Sequence, residues 1–209
     1  ILKKDKKIFI EEFDYIIDIK EIKNIPQILK KSNSSIINSE SYLDITPKHS
    51  SKFSATVPIM TGCNNFCAYC VVPYVREREV SRSAIEIISE IKTLVKNRYK
   101  EIWLLGQNVN SYYTLIRSNK GMVKINFPKL LKIINDIPGK FWMRFTSSHP
   151  KDFSDELINA MAECKKVTPY LNLPIQSGNN KILKAMNRRY NVADYKNKIK
   201  ELRKKIPDI

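Results

Sequence analysis

Four short apolar runs recur from residue 57 onward and have the pattern of strands in a parallel sheet. Each run is bounded by polar or turn-forming residues and is apolar at most positions, which is typical of strands buried on both faces. The runs are Val57–Met60, Ile102–Leu105, Phe141–Phe145 and Tyr170–Ile175. Between them, apolar residues recur every three or four positions, which is the period of an amphipathic helix.

These amphipathic stretches predict helices with recognisable caps. Ser83 with Glu86 fits a capping box, Pro128 suits a first helical turn, and Ser154 is a suitable N-cap. The predicted helices are Ser83–Asn97, Pro128–Asp136, Ser154–Cys164, Asn180–Met186 and Val192–Lys205. Four successive strand–helix units predict an α/β domain with a parallel sheet, either open or curled toward a barrel.

The first fifty residues do not continue this alternation. Residues 8–19 mix apolar and acidic pieces, residues 21–31 favour a short helix, and residues 32–39 are rich in Ser and Asn, as turns are. The polar stretch 47–52 has the composition of a linker. We therefore place a domain boundary between residues 52 and 53.

The charge balance narrows the class of partner. There are 37 basic and 21 acidic residues, a formal net charge of +16, which favours a polyanion such as nucleic acid, although a general bias toward Lys would also raise it. No apolar run approaches the roughly 18 residues of a membrane span, and charges interrupt the start of the chain where a signal peptide would be apolar. These features predict a cytoplasmic protein with reduced thiols.

Three of the four cysteines, Cys63, Cys67 and Cys70, follow the first predicted strand. The carboxyl ends of parallel strands are where α/β folds place their sites. Three thiolates can hold three irons of a four-iron cluster and leave the fourth open, whereas structural zinc needs four ligands. The spacing favours iron–sulfur, with zinc and core thiols as alternatives. Cys164 lies at helical spacing within an apolar stripe and is predicted to be a buried core thiol.

Polar residues follow the other predicted strands and are further candidates. Neutral amides, hydroxyls and an imidazole offer donors and acceptors for a small ligand, although ordinary polar turns have the same composition. The candidates are Gly106, Gln107, Asn108, Asn110, Ser148, His149, Gln176 and Ser177. Basic and aromatic residues suited to phosphates and bases form a second set, with a solvated surface as the alternative. That set is Arg76, Arg78, Arg82, Arg188, Arg189 and Tyr190.

The Cys-x3-Cys-x2-Cys spacing at 63–70 resembles the signature of the radical S-adenosylmethionine (SAM) enzymes, and Tyr69 matches the aromatic residue beside their third cysteine. The resemblance implies a partial (β/α)6 barrel and a [4Fe–4S] cluster on the three cysteines. It also implies that SAM binds the open iron and, after one-electron reduction, gives a 5′-deoxyadenosyl radical. The polar loop residues named above, together with Tyr69, would contact SAM.

Further motifs narrow the resemblance to the radical SAM methylthiotransferase family. They are GCNNFCAYCVVPYVREREVSR at 62–82, LLGQNVNSY at 104–112, SSHP at 147–150 and NLPIQSGNNKILKAMNRRY at 172–190, and GQNVN favours the tRNA branch. That branch methylthiolates C2 of N6-dimethylallyladenosine at position 37, beside the anticodon. The implied partners are tRNA and a reductant such as flavodoxin or ferredoxin, with the protein a monomer. The family usually has Gly where this chain has Glu77.

The resemblance also implies a fragment. Residues 1–52 match the end of the family's N-terminal domain without its three cysteines, and residues 53–209 match a radical SAM core that stops before its last strands. Within the family, the branches that act on threonylcarbamoyladenosine or on a ribosomal protein are alternatives. From a different class, the alternative is a zinc-stabilised nucleic-acid-binding module without catalysis.

Overall fold

The structure is a computed structural model that describes residues 13, 15–17, 19–30, 43, 47–119 and 121–209. The chain divides into two compact units, Ile1–Lys48 and His49–Ile209. In the first unit, a 3₁₀-helix at Ile19–Asn24 continues into helix α1 at Ile25–Lys30, where a short helix is predicted. The turn predicted at 32–39 lies outside the described residues.

The second unit alternates strands and helices along the chain. Its strands are β1 (Ser54–Pro58), β2 (Met60–Thr61), β3 (Val80–Ser81), β4 (Glu101–Leu105), β5 (Tyr113–Ser118), β6 (Gly121–Asn126) and β7 (Trp142–Phe145). Its α-helices are α2 (Val72–Val75), α3 (Ala84–Lys96), α4 (Phe127–Asn135), α5 (Asp155–Glu163), α6 (Asn180–Ala185) and α7 (Val192–Lys205). Single 3₁₀ turns at Val109–Ser111 and Pro150–Asp152 follow β4 and β7. No helix in the described part of the chain is long and apolar enough to cross a membrane.

A parallel sheet in the order β1-β4-β7 organises this unit. Ser54 is aligned with Glu101, and Glu101 with Trp142, so the three strands start level. Every second side chain is buried, and helices α3, α4 and α5 pack their apolar stripes on that face. The opposite face is only partly covered, as Thr56 and the half-exposed Trp142 show. The sheet is therefore an open α/β sheet, in agreement with the predicted fold class.

The fourth predicted strand is absent. Val167 makes a single parallel bridge with Met143, and Tyr170–Ile175 is irregular. The chain leaves the sheet at Pro169, which has no N–H for the ladder. Side chains satisfy the carbonyls of this stretch instead: Tyr195 Oη donates to Leu173 O at 2.9 Å, and Tyr190 Oη donates to Ile175 O at 2.6 Å.

A β-hairpin that the apolar pattern does not predict follows β4. Strands β5 and β6 pair antiparallel over their whole length, from Tyr113 with Asn126 to Ser118 with Gly121. Exposed and half-buried side chains alternate in β5, so the hairpin is amphipathic and lacks the continuous apolar run of the sheet strands. The predicted capping box at Ser83 is also wrong, because the Ser83 side chain makes no cap hydrogen bond.

Candidate functional site

The three clustered cysteines lie in a loop that its own backbone closes. Strand β2 pairs with β3, so Met60 is opposite Ser81 and the two ends of the loop lie side by side. The Cys63 N–H donates to the carbonyl of Glu77 at 3.3 Å. Asn64 and Glu79 exchange backbone–side-chain hydrogen bonds of 3.2 and 3.3 Å. We call residues 62–79 the cysteine loop.

The backbone at the base of the cysteine loop has a positive φ at two positions, Gly62 and Glu77. Gly62 has φ +77°, and a Cβ there would lie 2.1 Å from the carbonyl oxygen of Arg78, so no other residue fits. Glu77 has φ +62°, in the left-handed region that favours glycine. The glutamate that departs from the family pattern therefore stands in a glycine-type conformation.

The cysteine loop presents three free thiols. Cys67 is buried, whereas Cys63 and Cys70 are half-buried, and the Cys70 N–H donates to the Cys67 carbonyl at 2.9 Å. Among the described residues, no three His, Cys, Asp or Glu side chains converge as ligands of one metal ion. Three thiolates can each bind one iron of a [4Fe–4S] cluster and leave the fourth iron open, whereas structural zinc normally needs four protein ligands. The three thiols of the cysteine loop therefore fit a [4Fe–4S] cluster.

Nitrogen donors face two of these sulfurs. Arg188 is only 4% exposed, and its Nη1 donates to Cys67 Sγ at 3.2 Å. His149 Nε2 lies 3.9 Å from the same sulfur. Asn65 Nδ2 donates to Cys63 Sγ at 3.6 Å. Hydrogen bonds of this kind stabilise charge on a sulfur, which is what a thiolate ligand needs.

His149 is held as a neutral imidazole. Its Nδ1 accepts the Lys151 N–H at 3.1 Å, so a neutral ring carries its proton on Nε2, toward Cys67. Burial, and then the charge of Arg188, lower the pKa of His149 to about 4. In this structure His149 therefore acts as a neutral hydrogen-bonding group.

The segment after α6 anchors the cysteine loop. Asn187 Nδ2 donates to the carbonyls of Asn65 and Phe66, at 3.3 and 2.9 Å. The Ala68 N–H donates to the Met186 carbonyl at 3.1 Å. Asn187 itself has φ +56°, a conformation that Asn tolerates better than most residues. The sequence does not reveal this anchoring role of Asn187, because its partners lie more than a hundred residues away along the chain.

Buried acceptors without partners lie in the loops after β4 and β7. Among the described residues, no hydrogen bond reaches the side-chain oxygens of four predicted SAM-contact residues: Gln107, Asn108, Asn110 and Ser148. Asn108 is fixed by its Nδ2, which donates to Asp152 Oδ2 at 2.7 Å, and Asn110 Nδ2 donates to the His149 carbonyl at 3.5 Å. Buried acceptors normally have partners. Orphaned oxygens in these loops fit a ligand rich in N–H and O–H donors, as SAM is.

The remaining predicted SAM contacts occupy varied surroundings. Tyr69 is about half exposed beside Cys70, and the partial burial of its hydroxyl raises the pKa of that group. Gln176 has φ +72° and is exposed. Ser177 Oγ accepts the Asn179 N–H at 3.1 Å. A Cβ at Gly106 would lie 2.4 Å from Met60 Cγ, so its lack of a side chain serves internal packing.

Two of the predicted RNA-contacting arginines are engaged with other protein groups: Arg188 is buried, and the Arg82 side chain is about 10% exposed. Arg188 points at Cys67, as described above. Arg82 is paired with Glu90 and, at 3.6 Å, with Glu86, so its charge is already compensated. In this structure the side chains of Arg188 and Arg82 are held by protein partners and are not presented to a phosphate at the surface.

The other members of that set are more accessible. Arg78 is exposed, with its guanidinium 4.6 Å from the centre of the Phe66 ring. Arg189 is exposed next to Asn187, whereas Tyr190 and Arg76 are half-buried. Arg78 and Arg189 are therefore the cations of this set that are open to a polyanion beside the cysteine loop.

Solved structures with a similar fold are radical SAM enzymes. TsrM from Kitasatospora setae, solved with tryptophan and a SAM analogue, gives a TM-score of 0.57 at 15% identity over 74% of this chain and 29% of its own. The cobalamin-dependent radical enzyme OxsB, solved with SAM, gives a TM-score of 0.55 at 11% identity over 72% of this chain and 22% of its own. At these identities the similarity shows the fold alone.

Sequence relatives are closer. Proteins named tRNA-2-methylthio-N(6)-dimethylallyladenosine synthase match from Clostridium novyi (54% identity over 76% of this chain and 34% of the relative) and Finegoldia magna (42% over 95% and 43%). The Treponema denticola protein of that name is 44% identical over 94% of this chain and 48% of its own. The chain thus spans between a third and a half of the length of these relatives. The pattern of the Radical SAM superfamily matches residues 57–209, and the chain belongs to that superfamily.

Proposed function

We propose that this chain contains the radical SAM core of a tRNA methylthiotransferase that modifies C2 of N6-dimethylallyladenosine at position 37, beside the anticodon. One observation carries the substrate assignment: relatives named for this reaction are 42–54% identical over 76–95% of the chain. The thiols and orphaned acceptors support the chemistry independently. The relatives reported above are not named for the branches that act on threonylcarbamoyladenosine or on a ribosomal protein.

Different residues of this chain would bind the cluster, bind SAM and hold the cysteine loop in place. Cys63, Cys67 and Cys70 hold the [4Fe–4S] cluster. When bound and reduced, the cluster would cleave SAM to a 5′-deoxyadenosyl radical, which abstracts the hydrogen atom from C2 of the adenine and becomes 5′-deoxyadenosine. The free oxygens of Gln107, Asn108 and Ser148 accept hydrogen bonds from SAM and so fix its orientation. Asn187 keeps the cysteine loop in place by binding its carbonyls.

The partners follow from charge and redox chemistry. Arg78 and Arg189 are exposed cations near the cysteine loop and would pair tRNA phosphates. The reductant would be a small electron carrier such as flavodoxin or ferredoxin. Because the chain spans part of the relatives' length, other regions of a full-length enzyme would contribute to tRNA binding and sulfur supply.

The cofactor assignment is tested by iron content. After anaerobic reconstitution, the chain should bind about four irons, and Cys67→Ala should remove the cluster because two thiolates are too few anchors. Cys164→Ala is the matched control, since it removes a cysteine outside the loop and should keep the iron. Stoichiometric zinc without iron would contradict the assignment.

The substrate assignment is tested with a chimera. Residues 53–209 would replace the matching segment of the Finegoldia magna relative, expressed in a strain that lacks its own methylthiotransferase. Nucleosides from digested tRNA should contain 2-methylthio-N6-dimethylallyladenosine, and the same chimera with Cys67→Ala should give none. If the chimera methylthiolated only threonylcarbamoyladenosine, the chain would instead belong to the branch that acts on that nucleoside.

A further inference from the structure

Arg188 has an environment that RNA binding does not explain. It is 4% exposed, and an arginine is rarely buried unless it is paired. Within hydrogen-bond reach of its guanidinium, the described residues offer the Cys67 thiol, the Tyr190 hydroxyl and the Pro174 carbonyl, and no carboxylate. The Cys67 sulfur, as a thiolate, would therefore supply the negative charge that balances this buried cation.

The guanidinium is fixed on three sides. Nε donates to Tyr190 Oη at 3.1 Å, Nη2 donates to Pro174 O at 3.5 Å, and the group lies 5.3 Å from the centre of the Tyr190 ring. Tyr190 is itself held, since its hydroxyl donates to the Ile175 carbonyl. The remaining Nη1 is aimed at Cys67 Sγ at 3.2 Å. Little reorganisation is needed for this donor to respond to charge on the sulfur.

The loop cysteines are therefore not equivalent. Cys67 faces the cation of Arg188 and the imidazole of His149, whereas Cys63 faces the neutral amide of Asn65 and lies within electrostatic range of Glu79. One-electron reduction adds negative charge to a cluster and its thiolates. Hydrogen bonds and positive charge at the sulfurs favour the reduced state and raise the potential.

We propose that Arg188 is a positioning residue that sets the reduction potential of the iron–sulfur cluster through its hydrogen bond to Cys67. His149 contributes a second, neutral donor at the same sulfur. The proposal rests on the cofactor assigned above. It separates the two adjacent arginines of NRRY: Arg188 acts on the sulfur, and Arg189 stays at the surface.

The test compares Arg188→Gln with Arg189→Gln, which removes the same charge from the adjacent residue, whose side chain is exposed. Each reconstituted protein is titrated anaerobically with reductant, and the reduced cluster is followed by electron paramagnetic resonance. At the wild-type midpoint, Arg188→Gln should lower the reduced-to-oxidised ratio about tenfold, which is about 59 mV for one electron. Arg189→Gln should leave the midpoint in place.

Iron content separates failure of the proposal from failure of the cofactor assignment. If the wild-type chain holds no iron–sulfur cluster, the assignment itself falls. If Arg188→Gln assembles poorly, Arg188→Lys is titrated instead, because it keeps the charge and loses the fixed three-sided geometry; its midpoint should also fall. A wild-type midpoint in whichever variant carries four irons overturns the proposal. So does failure of both variants to retain iron, because Arg188 would then serve assembly.

Discussion

At position 77, a glutamate occupies backbone that glycine adopts without cost. Its φ of +62° crowds Cβ against the backbone, at a cost of about 1 kcal/mol or somewhat more. Glu77→Gly should therefore exceed Glu77→Ala in free energy of unfolding by about 0.5–1 kcal/mol, because the relief of about 1–2 kcal/mol of strain is partly offset by the greater freedom of glycine in the unfolded chain, about 0.4–1 kcal/mol. Urea unfolding of the apo-protein measures the change. Glu77→Ala keeps the strain and is the control; equal stability of the two variants would contradict the argument.

Cys164 is predicted to be chemically silent. Burial raises the pKa of its thiol to about 11, so near pH 8 its thiolate fraction is roughly a hundredfold below that of an unburied cysteine. In the apo-protein, iodoacetamide should label Cys70 long before Cys164, as peptide mass spectrometry would show. Comparable rates for the two thiols would contradict the burial of Cys164.

The same thiol gives a pH dependence with a defined sign. Because its pKa is higher in the folded than in the unfolded chain, its contribution to stability is complete below pH 9 and is lost as pH rises through about 11. Cys164→Val should therefore lose less stability than wild type across that range, measured by urea unfolding at successive pH values. A parallel decline in both proteins would count against this origin.

Among the elements, those with a strong local pattern were predictable from sequence. The helix at Val192–Lys205 has its predicted ends, and Ser154 caps α5 by accepting the Leu157 N–H. Tyr170–Ile175 was not predictable, because its apolar residues suit a strand while Pro169 removes a ladder donor. The β5–β6 hairpin was missed for the opposite reason: its half-exposed strands lack a continuous apolar run.

The anchor between the cysteine loop and the segment after α6 can be tested at Asn187. Asn187→Asp keeps the shape but cannot donate to the Asn65 and Phe66 carbonyls, so two backbone acceptors lose their partner. We expect chelators to remove iron from the reconstituted variant at least about tenfold faster, the rate effect of a loss of about 1.4 kcal/mol. Release is followed by the loss of visible absorbance.

Asn187→Gly is the control for backbone strain. Glycine accepts the φ of +56° and also lacks the donor. Fast iron release in both variants would assign the effect to the lost hydrogen bonds. Slow release in both would show that the anchor does not hold the loop.

At the scale of the whole molecule, the sequence predicts that the cysteine loop and the loops after β4 and β7 lie close together. It does not predict the individual hydrogen bonds between them. The three thiols and the polar loops follow strand ends, which a parallel sheet brings to one edge. The hydrogen bond from Arg188 to Cys67 joins residues 121 apart, and no periodicity in the chain encodes it. The ion pair between Arg82 and Glu90 was not predictable for the same reason, because it is recognisable only once α3 is folded.

The net charge of +16 predicts RNA binding that weakens steeply with salt. Each phosphate contact contributes about −0.9 to the slope of log affinity against log salt on a duplex. Arg189→Gln and Arg78→Gln should each flatten the slope by roughly one contact, whereas Arg82→Gln should not, since Arg82 is already paired. Fluorescence anisotropy with labelled tRNA between 50 and 200 mM salt, spanning the usual range, measures this. An affinity for tRNA that does not change with salt would contradict the prediction that these arginines contact phosphates.

The separation of Cys67 from Arg188 has a consequence in time. A chain grows from its N-terminus at about 5–20 residues per second, so 121 residues take roughly 6 to 24 s. During that interval the cysteine loop has emerged before the arginine that donates to its sulfur, and before the asparagine that binds its carbonyls. The loop can close on itself through β2 and β3, and Cys63 has its donor Asn65 two residues away, but Cys67 lacks its donors until His149 and Arg188 have been made. Newly made protein is therefore most open to oxidants, and to the wrong metal, before residue 188 leaves the ribosome.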